Sequence, residues 1–264
     1  MSRQLAAGRL AGRGCVVTGA SGIAAAAARR FVEEGADVFV VSRDAKECAE
    51  LGLPYAVADL AVEDDAVGAL DAAADALVRI DALFAVAGGS GRRFGDGPLH
   101  EVTLDAWHAT MALNATPAFL AARESVRRML SQRPDTDGQR GSVVLTSSVL
   151  AFDPAPNHFA THAYAAAKAA IIGLTKAAAA SYAGEGVRVN ALAPAAVDTP
   201  MSGRAAADAE TAAYLQEKQP LTRGMLQAAD VAEAAVYLCS RESRSVTGQT
   251  LTVDGGWTVR GDRR

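Results

Sequence analysis

Short runs of β-branched and other apolar residues alternate along this chain with long alanine-rich stretches, and that alternation predicts a parallel sheet covered by helices on both faces. Strands are expected at residues 15–18, 38–41, 55–58, 83–87, 142–146, 187–191 and 250–253. Helices long enough to serve as crossovers are expected at 23–34, 64–78, 104–131, 163–183 and 229–239. The continuously apolar runs 38–41 and 143–145 suit strands buried on both sides. With right-handed crossovers, about seven such strands give an α/β, three-layer, doubly wound sheet. The abundant alanine is read as packing, because Ala is the strongest helix former and its small side chain lets a helix lie close to a sheet.

Size and charge narrow the function classes. At 264 residues, half of them hydrophobic, the chain can bury a full core, and a single domain over 1–264 is expected. A net charge of -4 without any long basic run lacks the footprint of a nucleic-acid binder, which leaves small molecules as the expected partners. Cys15, Cys48 and Cys239 are odd in number, far apart and in no CxxC pair, which argues against a disulfide framework or a zinc site and fits a reducing compartment. Residues 1–13 carry Arg3, Arg9 and Arg13 but no apolar leader, and no run is long enough to cross a bilayer. A soluble, cytoplasmic protein is therefore expected. The Gly- and Arg-rich segment 88–98 and the segment 133–141 are expected as surface loops, and 198–222, ending near Pro220, as a lid over a substrate site.

The turn after the first strand carries the first functional signal. Gly19, Ser21, Gly22 and Ile23 fall where the strand ends and a helix begins. Glycines there remove the Cβ atoms that block close approach, and a helix start offers free N–H groups and partial positive charge to phosphate, as a dinucleotide pyrophosphate needs. A tight strand-to-helix turn with no ligand is the other reading. The usual third glycine is replaced by Ala24 or Ala25. After the second strand, Ser42 stands where an acidic side chain would hold the adenosine ribose of NAD(H), and Arg43 could instead bind a 2′-phosphate, favouring NADP(H) with NAD(H) possible. Arg43 as a merely solvated guanidinium is the alternative. Asp59 could accept from an adenine amino group or cap the following helix.

Tyr164 and Lys168 are one helical turn apart, so their heads can meet at one point. A free phenol has a pKa of about 10, and a neighbouring ammonium favours the phenolate, so Lys168 is expected to bring Tyr164 toward working pH.

With these motifs in order, the sequence resembles the short-chain dehydrogenase/reductase family over residues 10–257. The segments that carry the likeness are Thr18-Gly19 after the first strand, Val86-Ala87-Gly88-Gly89 after the fourth, Asn114, Thr146-Ser147-Ser148, Tyr164 with Lys168, Arg188-Val189-Asn190 with Pro194, and Val253-Asp254-Gly255-Gly256. The resemblance implies a Rossmann fold of strand order 3-2-1-4-5-6-7 and a homodimer or homotetramer. It implies hydride exchange between a nicotinamide cofactor and a carbonyl or secondary alcohol. Tyr164 would be the general acid–base, Lys168 the ribose-holding partner, Ser148 (or Ser147) the donor to the substrate oxygen, and Asn114 the holder of a proton-relaying water. Besides the turn, Ser42, Arg43 and Asp59, the cofactor would touch Leu60, Ala87, Gly88, Gly89, Tyr164, Lys168, Pro194, Val197 and Thr199.

Four departures from the family pattern stand out. The glycine turn is one residue short and resembles the spacing of the extended branch. Ala85 and Val86 replace asparagines that would brace the sheet, and Ala195 follows Pro194 in place of glycine. The stretch from Ser148 to Tyr164 is about three residues longer than usual, and it places Phe152, His158 and His162, together with Met201 of the lid and with Ser148 and Tyr164, as candidate substrate contacts. No third ligand joins the two histidines, so no metal site is expected. Trp107 and Trp257 are expected as packing anchors. A dehydratase, epimerase or isomerase on the same fold and a non-catalytic dinucleotide sensor are the competing readings, and the sensor has no need of four catalytic side chains.

Overall fold

The computed structural model describes residues 8–261; residues 1–7, with Arg3, and 262–264 lie outside the described residues. The chain runs β1 (Gly14–Thr18), α1 (Gly22–Glu33), β2 (Asp37–Ser42), α2 (Ala45–Leu51), β3 (Tyr55–Val57), α3 (Glu63–Leu77), β4 (Ala82–Ala85), α4 (Leu104–Ser131), β5 (Gly141–Thr146), α5 (His162–Tyr182), β6 (Val187–Pro194), α6 (Gly203–Ala207), α7 (Ala209–Lys218), α8 (Ala228–Cys239) and β7 (Thr250–Val253). The strands form one parallel sheet in the expected order β3-β2-β1-β4-β5-β6-β7.

Alternation within the apolar strands sends neighbouring side chains to opposite faces. Cys15 and Val17 of β1 pack with α1 and α8, whereas Val16 joins the layer built by α3, α4 and α5. Both faces are dry, which is why the strand sequences are apolar without a polar alternate. On the first face Ala24, Ala27 and Ala28 bring α1 close to the sheet and let Phe31 reach Phe84, with ring centroids 6.2 Å apart. Both rings are fully buried, and each burial contributes about 1.5–3 kcal/mol. At the N-terminal end of β6, the buried Arg188 guanidinium donates to the carbonyls of Leu238, Ser240 and Val246 at 3.0, 3.1 and 3.3 Å, tying the sheet to the end of α8.

Some boundaries differ from the sequence expectation. Strand β4 stops at Ala85 rather than residue 87 because the Thr18 hydroxyl accepts from the backbone N–H groups of Val86 and Ala87, both at 3.0 Å. That bond supplies the brace that Ala85 and Val86 themselves cannot. Helix α2 was not expected; Asp44 starts it by accepting from the N–H groups of Lys46 and Glu47. Segment 88–98 is not simply a surface loop, since it contains a 3-10 turn at Gly91–Phe94 and buries Gly91 and Asp96. Residues 198–222 are largely helical, holding α6 and α7.

Candidate active site

The strand order reverses between β1 and β4, so the loops leaving their carboxyl ends diverge and leave a crevice. A cleft of about 810 Å³ opens there, walled by Gly19, Ser21, Gly22 and Ile23 on one side and Ala87 and Gly88 on the other. Gly19 and Gly22 sit at φ +96° and +52°, where a Cβ is strained, and a Cβ on Gly22 would come within 3.0 Å of Thr199 Cγ2. Ser21 precedes α1 without capping it through its side chain, so the first N–H groups of the helix face the cleft side without a side-chain partner. The shortened turn thus still forms a cradle that fits a pyrophosphate.

At the far end of the cleft stand Ser42, Arg43, Asp59 and Leu60. The Asp44 carboxylate is used in starting α2, and the exposed Arg43 reaches Asp59 only at 3.5 Å. Asp59 also accepts from the N–H of Ala61 at 3.0 Å, so it braces its own turn. The solvent-accessible Arg43 guanidinium therefore faces this end of the cleft, with Glu47 also on its lining.

Deeper in, α5 presents Tyr164 and Lys168 toward the end of β5. Lys168 is buried, its Nζ 5.6 Å from the centre of the Tyr164 ring and donating to the Thr146 carbonyl at 2.9 Å. Burial pushes the lysine pKa down to about 8. Burial also raises the Tyr164 phenol above its ordinary value, against the opposing hydrogen bond with Ser148. In the ligand-free protein desolvation of the phenolate is thus the larger effect, and the lowering expected of Lys168 beside a bound cationic nicotinamide belongs to the loaded enzyme. Ser147 is turned away, its hydroxyl donating to the Lys168 carbonyl at 2.8 Å, so of the two serines only Ser148 faces the phenol.

Asn114, fully buried on α4, uses its side chain on the loop after β4. Its Oδ1 accepts from Gly89 N–H at 3.1 Å, and its Nδ2 donates to the carbonyls of Gly89 and Thr110 at 3.0 Å each. A Cβ on Gly88 would lie 2.8 Å from Asn114 Oδ1 and 3.5 Å from Lys168 Nζ, which shows how tightly these groups converge.

A second cavity, of about 200 Å³, adjoins the first and ends on Ser148, Tyr164 and Lys168, with Pro194, Val197 and Thr199 along one wall. Of the candidate substrate contacts, Met201 lines it, but Phe152, His158 and His162 do not. Phe152 points outward, 48% exposed. His158 stacks on Tyr214 of α7 with ring centres 4.1 Å apart. His162 Nδ1 lies 2.8 Å from the Gly97 carbonyl. The lengthened stretch offers Leu150, Phe159 and Thr161 to the cavity instead, and Trp257 closes it from the C-terminal side. Trp257 is also the expected anchor, buried against Phe159 and Tyr214. Sequence reasoning missed Asp96, whose buried carboxylate caps α5 by accepting from the N–H groups of Ala163 and Tyr164. Its only signal was an acidic residue within a glycine-rich loop.

Residues 17–258 match the family model described as Enoyl-(Acyl carrier protein) reductase. The A-factor type gamma-butyrolactone 1'-reductase (1S-forming) of Streptomyces virginiae is 36% identical, over 96% of this chain and 98% of its own length. Glucose 1-dehydrogenase of Gluconobacter oxydans is 33% identical, over 96% and 95%. Among solved structures, a gluconate 5-dehydrogenase from Burkholderia cenocepacia in complex with NADP and tartrate superposes with a TM-score of 0.84 at 31% identity, covering 95% of this chain and 97% of that one.

Proposed function

The chain belongs to the short-chain dehydrogenase/reductase family, and on that premise we propose that it is an NADP(H)-preferring oxidoreductase working at a carbonyl or secondary alcohol through Tyr164. The observation that carries this reading is the convergence of Tyr164, Lys168 and Ser148 at the end of a cavity that adjoins the glycine-lined cleft. A nicotinamide dinucleotide bound in that cleft supplies hydride exchange with the substrate carbon. Gly19, Ser21, Gly22 and Ile23 would hold its pyrophosphate and Arg43 its 2′-phosphate, and Val197 and Thr199 would contact its nicotinamide. NADP bound to the gluconate dehydrogenase of similar fold supports the same cofactor class here.

In reduction, Tyr164 gives its phenolic proton to the oxygen of the carbonyl as that oxygen gains charge; in oxidation it takes the proton from the alcohol. The raised phenol pKa keeps that proton in place at neutral pH, which suits the acid role. Ser148 donates to the same substrate oxygen, and Lys168 fixes the ribose and restores charge balance beside the phenol. Asn114 holds the loop after β4 in place so that Lys168 and Gly88 keep their spacing.

Three free cysteines, all buried, support a reducing, cytoplasmic setting. Among the described residues no helix is long and apolar enough to cross a membrane. Exposed Phe119 and Leu130 on α4 support assembly into a homodimer or homotetramer, to be checked by light scattering.

The test is direct. NADPH and NADH are titrated while cofactor fluorescence is followed, and reduced-nicotinamide absorbance is then monitored with a panel of ketones and alcohols. NADPH is expected to bind more tightly and some ketone to be consumed. No binding of either cofactor at millimolar concentration refutes the reading, and binding without redox turnover hands the site to an isomerase or a sensor.

A further inference from the structure

The cavity that ends on Tyr164 has a charge pattern out of keeping with the chain as a whole. The protein is net acidic, at -4. Yet the walls of this cavity carry Arg92, Arg204 and Lys168 and no aspartate or glutamate. Lys168 belongs to the acid–base machinery, but the two arginines have no part in it. Arg92 comes from the loop after β4 and Arg204 from α6, so two separate segments converge to place them on one cavity.

Neither guanidinium has a hydrogen-bond or ion-pair partner among the described residues. Asp96 accepts from the N–H groups of Ala163 and Tyr164, and Asp208 from that of Thr211, so these carboxylates act on Arg92 and Arg204 only through space. Arg9, Arg30, Arg123 and Arg128 each hold at least one carboxylate within 3.0 Å, and what sets Arg92 and Arg204 apart from the solvent-facing arginines is that both line one cavity. Arg92 is half-buried, and desolvation together with repulsion from Arg204 lowers its pKa against the smaller, opposing attraction of Asp96. The half-buried Arg92 and the exposed Arg204 repel each other across the cavity they share, and a bound anion relieves that repulsion. Guanidinium forks are also the side chains best shaped for bidentate recognition of a planar or tetrahedral oxyanion.

Resting on the oxidoreductase reading above, we propose that Arg92 and Arg204 select a substrate that carries an oxyanion, a carboxylate or a phosphate ester, away from its reacting carbonyl or alcohol carbon. Leu150, Phe159 and Met225 line the same cavity and leave an apolar body between the anion and Tyr164. The substrate class is thus a compact oxo- or hydroxy-acid, or its phosphorylated counterpart, with the charge held by the arginines and the oxygen held by Ser148 and Tyr164.

The test is equilibrium binding to the enzyme saturated with NADP+, where a ketone forms a ternary complex without turnover. The ligands are two matched pairs: 4-oxocyclohexanecarboxylate against its methyl ester, and dihydroxyacetone phosphate against dihydroxyacetone. Calorimetry is expected to show the charged member of at least one pair binding at least tenfold more tightly. Which pair responds tells carboxylate from phosphate. In Arg92→Gln and Arg204→Gln that preference is expected to fall to threefold or less, while Arg204→Lys keeps part of it and guards against a folding defect. The proposal is overturned if neutral and charged members bind alike in both pairs. It is equally overturned if the glutamine variants weaken NADP+ itself as much as the anion, which would make the arginines cofactor ligands. Should NADP+ fail to bind the wild-type protein, the oxidoreductase reading falls, and the same pairs titrated into the free protein still decide the role of the arginines.

Discussion

The Asp96 carboxylate lies 2.9 Å from the backbone nitrogen of Tyr164 and 2.9 Å from that of Ala163, so the residue that caps helix α5 also sets where the phenol stands. Removing it leaves two N–H groups unsatisfied at the start of a helix, one of them buried. Asp96→Ala is expected to cost about 1–3 kcal/mol and, because the first turn of α5 frays, to lower kcat more than it raises KM. Asp96→Asn keeps one acceptor and should recover part of both. Thermal unfolding together with steady-state kinetics checks this; full stability with lost activity would mean that Asp96 acts on substrate rather than on the helix.

Tyr164→Phe is expected to reduce turnover by about 10²–10⁴-fold while NADPH affinity stays within twofold. Because burial holds the phenol above its ordinary pKa, oxidation, which needs the phenolate, should rise with pH from neutrality toward pH 10. Reduction should be flat or fall over the same range. Opposite slopes in the two directions, measured on the wild-type enzyme, would identify the acid–base group; parallel profiles would point elsewhere.

Lys168 bears on stability as well as on chemistry. Its folded pKa of about 8 lies below the ordinary 10.5. Between these values the unfolded chain holds more protons than the native one, so this group makes stability rise with pH from 8 to 10.5. Below pH 8 the full penalty for a buried ammonium applies, on the order of 3 kcal/mol. Lys168→Met, which loses the bond to the Thr146 carbonyl but carries no charge, is expected to be inactive yet to melt no lower than wild type at pH 7. Its advantage should disappear by pH 10. A difference in melting temperature that does not change with pH would refute the assignment.

Arg43→Ala should weaken NADPH by about tenfold or more and leave NADH within twofold, as measured by cofactor fluorescence. Equal losses for both would leave Arg43 as a surface charge.

Gly88→Ala places a methyl group 2.8 Å from Asn114 Oδ1, so the bonds from Asn114 to Gly89 must open. A stability loss of about 1–3 kcal/mol is expected, with kcat reduced at least tenfold, readable by unfolding and initial rates. A fully active variant would show that the loop can move without harm to Lys168.

Much of this architecture was legible because continuous apolar runs such as Val38 to Val41 and Val143 to Leu145 have no stable place except inside a doubly covered sheet. Helix α2 escaped because it is seven residues long and rests on one cap, Asp44, rather than on an apolar face of its own. The end of β4 depended on a hydroxyl from another strand, Thr18, which no local pattern encodes. Within the site, helical spacing paired Tyr164 with Lys168, but two adjacent serines look alike in sequence; only the Lys168 carbonyl, which takes the Ser147 hydroxyl, separates them. Phe152, His158 and His162 were drawn to the cavity by nearness in sequence to Tyr164. Leu150, Phe159, Arg92, Arg204 and Trp257 reach it by folding.

Because all seven strands run the same way, the two rims of the sheet answer to different demands. Arg188 clamps the rim where the strands begin, and damage there shows first as a protein that melts earlier with its chemistry intact. The opposite rim carries the groups proposed above to meet cofactor and substrate, mostly on loops and on short helices such as α6. Changes among those loops can redirect the enzyme toward a new substrate while the layered body beneath them stays as it is.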